Sequence, residues 1–69
     1  MSQPFFRLMR KEELDLLLDQ LFLSTGLRPQ PHTGGLLLLS GGQPILRTID
    51  SDPHPVVFFY PPFFKEPQP

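Results

Sequence analysis

Three residues in this chain have side-chain types and a spacing that could do chemistry: Asp50, Asp52 and His54. Set two apart, they would line one side of an extended backbone, and two carboxylates with an imidazole can hold a divalent cation. Such a site would make the chain a metal-binding protein or a small metal-dependent enzyme. The intervening residues argue for something plainer. Asp50-Ser51-Asp52-Pro53-His54-Pro55 is turn composition, because Asp and Ser hydrogen-bond their local backbone and proline presets φ. Neither His32 nor His54 has a plausible nucleophile beside it. The glycine pairs in Thr33-Gly34-Gly35 and Ser40-Gly41-Gly42 lack the strand, glycine-loop and helix order of a phosphate cradle. They read as turns. Phe5, Phe6, Arg7, Arg10 and Lys11 mix rings and cations as a nucleic-acid stacking surface does. Six Lys and Arg against seven Asp and Glu, a net charge of −1, oppose a phosphate-backbone binder. The reading is therefore of a protein without catalytic residues, metal or cofactor. Metal binding by Asp50, Asp52 and His54 and weak nucleic-acid binding remain its two alternatives.

The elements around these residues are organised by one hairpin. Leu36 to Leu39 run into Ser40-Gly41-Gly42-Gln43 and emerge as Ile45-Leu46-Arg47-Thr48-Ile49. Two glycines suit a two-residue turn because they accept positive φ. Counting outward from Gly41-Gly42, Leu38 should face Ile45 and Leu37 should face Leu46. One sheet face would then carry Leu36, Leu38, Ile45 and Ile49, interrupted by Arg47. The other would carry Leu37, Leu39, Leu46 and Thr48. Pro44 is tolerable at the start of a strand. Strand side chains alternate, so four successive leucines place apolar groups on both faces. One helix can cover only one of them.

That helix is expected over Lys11 to Thr25. Glu12, Glu13 and Asp15 suit the positive end of its dipole, and Gly26 sits where a left-handed terminating residue belongs. Steps of 100° gather Leu14, Leu17, Leu18, Leu21 and Phe22 into a core stripe. Leu16 and Leu23 fall roughly opposite it, near a solvated acidic strip of Glu12, Asp15 and Asp19. Leu27 to Thr33 reads as a proline-stiffened loop, Phe5 to Met9 as a short strand or extended arm with a helical extension of the next element as its rival, and Val56 to Tyr60 as a further strand. Pro61-Pro62 ends that strand. Phe63 and Phe64 must leave the sheet, either folding back or docking on another chain, with docking slightly favoured.

Length bounds the rest. Sixty-nine residues make one domain, near the size at which a single core is marginal. Ten prolines cluster outside the apolar runs, and with no cysteine there is no disulfide staple. No apolar run reaches the ~18 residues of a membrane span, and no signal-peptide pattern opens the chain, so a cytoplasmic protein is expected. The predicted fold is α+β: one amphipathic helix packed on a three- to four-stranded antiparallel β-meander over residues 1–62, with a Pro/Phe-rich tail at 63–69.

The order of Leu14–Leu21, Gly26-Leu27, a proline-bearing loop, Leu36–Leu39, Ile45–Ile49, an acidic turn and Val56–Tyr60 resembles the first half of type III secretion chaperones. The resemblance covers roughly residues 11–60 as a pattern of apolar runs and turns; the dimer helix and later strands of such chaperones have no counterpart in it. It implies a cytoplasmic homodimer that keeps a segment of a client protein extended. Independently of it, the apolar surplus predicts a non-enzymatic protein-interaction module: a small subunit, adaptor or chaperone-like regulator. Its partner, a protein or a second copy, would meet Leu16, Leu23, Leu37, Leu39, Leu46, Tyr60, Phe63 and Phe64.

Overall fold

The computed structural model describes residues 3–65. Its elements are β1 (Phe5–Leu8), α1 (Lys11–Thr25), β2 (Gln30–His32), β3 (Gly35–Ser40), β4 (Gln43–Ile49) and β5 (Val56–Phe59). The strands form one sheet in the order β1-β5-β4-β3-β2, with every neighbouring pair antiparallel. The α+β class holds, with five strands where three or four were expected. The extra strand is β2, which lies inside the stretch read as a loop. Gln-Pro-His has no strand composition. It is drawn into the sheet because the Thr33-Gly34 turn, with Gly34 at φ 75°, folds it back on β3 so that Gln30 opposes Leu37. Pro31 is tolerated there because β2 is an edge.

The helix has the predicted bounds. Gly26 adopts φ 77° and its N–H closes the last turn on the Phe22 carbonyl at 2.8 Å, as a left-handed cap does. Thr25 Oγ1 donates to the Leu21 carbonyl at 2.6 Å and accepts the Leu27 N–H at 3.2 Å. At the other end Arg10 precedes the helix without a side-chain cap. It pairs instead with Glu13, Nε to carboxylate 3.2 Å. That hydrogen bond holds the exposed Glu13 carboxyl below its ordinary pKa. Leu14 and Leu21 are buried, and Leu17 and Leu18 pack at the edge of the core. Phe22 departs from the expected stripe: it lies exposed at its margin, with the Arg28 guanidinium 4.8 Å from its ring centroid.

Gly41 and Gly42 form the β3–β4 turn as expected, both at positive φ (59° and 82°). The register beyond it differs from a straight count. Ser40 opposes Gln43 and Leu39 opposes Pro44, but Leu38 opposes Leu46. One step on β3 thus matches two on β4. Ile45 is the extra residue of a β-bulge, and such a bulge leaves two successive side chains on nearly one side. Ile45 and Leu46 are accordingly both buried. The bulge exchanges the expected faces of β4. Leu46 and Thr48 turn toward α1, joining Leu38, Val57 and Phe59 in the core, while Arg47 and Ile49 turn away. The buried Thr48 hydroxyl is satisfied, accepting the Leu36 N–H at 3.0 Å.

The segment after β5 folds back. Phe5, Phe59 and Phe64 form an aromatic cluster: Phe5 stacks on Phe59 with centroids 5.3 Å apart, and Phe64 meets Phe59 edge-on at 5.0 Å. The Phe64 N–H donates to the Tyr60 carbonyl at 3.3 Å. Docking of Phe64 on another chain is therefore corrected: the paired β1 and β5 build an aromatic wall on which its ring closes. Phe63 stays exposed, and the rest of the expected tail, 66–69, lies outside the described residues. Phe64→Ala should lower stability by about 2–3 kcal/mol, as loss of a partly buried aromatic contact does. Phe63→Ala should shift it by under ~1 kcal/mol. Thermal melts of the two variants, read by circular dichroism, check the difference.

Candidate interaction surface

Alternation along each strand fixes what faces away from α1. Gln30, Leu37, Arg47, Phe58 and Phe6 form one row across all five strands, each directly opposite the next. The neighbouring row holds His32, Gly35, Ile49, Val56 and Leu8 by the same pairings. Toward the hairpin end Leu39 and Pro44 extend it. Apolar side chains dominate the surface. Its central members are half-buried by each other, whereas Phe6 (64%) and Leu8 (63%) are largely exposed on the edge strand. A contiguous apolar sheet face of this kind marks an interaction site more often than scattered single residues do.

Arg47 sits at its middle, on the central strand. Its guanidinium carbon lies 5.5 Å from the Phe58 centroid, within reach of the ring's negative face. Its Nε is buried with no hydrogen-bond partner among the described residues. A buried donor without an acceptor is costly, and a carboxylate placed over the face would satisfy it. Phe58 and Phe6 are tilted neighbours at 5.9 Å.

The structure gathers some of the expected contact residues and disperses others. Leu37 and Leu39 are on this face, half-buried. Leu46 is not: it is fully buried beneath α1, because the bulge at Ile45 reverses its side. Tyr60 is half-buried at the end of β5, its N–H bound to the Ile45 carbonyl at 3.1 Å. Leu16 (60%) and Leu23 (82%) are exposed, but on the outside of α1, in the opposite layer. Sequence reasoning missed Phe6, Leu8, Ile49, Val56 and Phe58, together with Arg47 as the centre. The same alternation, applied with the bulge in place, would have found them.

The other candidate chemistry does not assemble. Asp50, Asp52 and His54 are exposed in the β4–β5 turn, where Lys11, Asp50, Ser51, Asp52 and Pro55 line an open hollow. No group of three or more metal-ligating side chains converges among the described residues. Of the aromatic-basic cluster, Phe5 is engaged in the stack with Phe59, which removes one ring from any base-stacking surface. Among the described residues no helix is long and apolar enough to cross a membrane. No family model, curated protein or solved structure matches this chain.

Proposed function

We propose that this chain is a non-enzymatic protein-interaction module, a cytoplasmic subunit or chaperone-like regulator, that works by covering the sheet face opposite α1 with another polypeptide. The observation that carries the reading is Arg47, a cation whose buried Nε has no partner among the described residues, framed by Leu37, Phe58, Ile49 and Val56. Apolar side chains supply burial worth about 25 cal/mol per Å² removed from water. The arginine supplies a polar anchor of the kind that concentrates binding energy at interfaces. The resemblance to type III secretion chaperones belongs to the same class of activity.

Sedimentation of the purified chain, alone and after recovery with its partner from source cells, tests the proposal. The wild type is expected in species heavier than 7.9 kDa. Phe58→Glu should remain at monomer mass while keeping a cooperative melt, since its ring is half-buried rather than core. A well-folded wild-type monomer at micromolar concentration, with no partner recovered, overturns the reading.

A further inference from the structure

We infer that the occupant of the sheet face is a second copy of this chain, seated through the outer surface of its α1. The inference rests on the reading of the sheet face as an interaction surface and names what covers it. The outer strip of α1 carries Leu16, Asp19 and Leu23, positions three and four residues apart that share one side of a helix. Leu16 and Leu23 are the exposed leucines of that helix, and they stand about 10 Å apart along its axis at 1.5 Å per residue. On the sheet, Leu37 and Phe58 flank Arg47 on the two adjacent strands, also about 10 Å apart at ~4.8 Å per strand. A helix laid across that row sets its leucines over Leu37 and Phe58 and Asp19 over Arg47. Arg47 meets a carboxylate, and the exposed leucines of the helix cover the half-buried apolar groups of the sheet.

Two alternatives of assembly fit less well. Sheet face against sheet face around a two-fold axis through the centre of the face would oppose Arg47 to Arg47, a like-charge contact in an apolar setting. Reciprocal exchange within one dimer is excluded by placement, because the helix strip and the sheet face lie on opposite layers. The contact is therefore head-to-tail, and such contacts propagate unless the rotation closes a ring.

That geometry gives a mixing test. Arg47→Glu disables the sheet face; the double variant Leu16→Asp with Leu23→Asp disables the helix strip. Sedimentation velocity should show the wild type growing past two chains as concentration rises. Each variant alone should stay at 7.9 kDa, with at least a tenfold loss of association. Mixed one to one, the variants should form a species of two chains and nothing larger, since only one productive contact is left between them. If Arg47→Glu loses its cooperative melt, Phe6→Glu, at an already exposed position, replaces it. A helix-strip variant that still associates alone overturns the inference and leaves the sheet face as an interaction surface. So does a wild type that is monomeric alone but recovered with a different protein. A wild type that is monomeric and partnerless overturns both.

Discussion

Gly35→Ala is expected to lower the melting temperature by more than ~10 °C. A methyl group at residue 35 would drive into the backbone carbonyl of Thr48 and reach 3.0 Å from its Oγ1. The carbonyl belongs to the neighbouring strand and cannot rotate aside. β3 would have to pull away from β4 where the Leu36 N–H meets Thr48 Oγ1 and the Asp50 N–H meets the Gly34 carbonyl at 2.6 Å. Overpacking against fixed backbone costs about 3 kcal/mol or more, a large part of the ~5 kcal/mol available to a domain this small. Gly34→Ala is the control. Its added carbon meets nothing within 4 Å, but the φ of 75° is strained for any side chain, so it should cost only ~1 kcal/mol. Melting the two variants side by side decides the matter: equal midpoints would mean that β3 and β4 do not approach so closely.

Leu46→Ala is expected to cost about 3–5 kcal/mol, against ~1 kcal/mol for Leu37→Ala in the isolated chain. Leu46 is fully buried between Leu38 and Phe59 under α1, so truncation removes transfer energy and leaves a cavity that a two-layer core closes poorly. Leu37 lies half-covered on the opposite face, where truncation removes area without enclosing a void. Urea unfolding of both variants, with unchanged slopes, gives the comparison. Equal losses would show that the faces of β4 are assigned the wrong way round.

Those two leucines also show where the sequence stopped being legible. The hairpin turn was readable because only glycine takes two successive positive φ angles easily, and the helix because its period and Gly26 agree. The bulge was not readable. Ile45 and Leu46 are both apolar, so sliding the register by one leaves the pattern equally satisfied, and only packing against α1 chooses. β2 was hidden for the opposite reason: Gln30-Pro31-His32 has poor strand propensity and is recruited by its neighbour, a case of tertiary context overriding composition. Phe64 could have gone either way until β1 paired with β5, since the wall it packs on is made of residues far apart in the sequence. Leu16 and Leu23 needed only a helical angle to be placed outside. Arg47 was seen as an interruption of the wrong face, and correcting the face turns it into the centre of the candidate surface.

The pairing of β1 with β5 alone has a consequence for how the chain is made. β3 finds β2 and β4 within a few residues on either side, so those ladders can form as soon as the segments exist. Among the described residues β1 pairs only with β5, in a register that joins Phe5 to Phe59. β1 is thus made well before the strand it pairs with, and stays unpaired until β5 has been synthesised. Throughout that interval Phe5, Phe6 and Leu8 travel as an unpaired apolar segment, the kind of exposure that invites aggregation or capture by cellular holdases. Vectorial synthesis runs ahead of the topology here, and β1 is left vulnerable until β5 arrives.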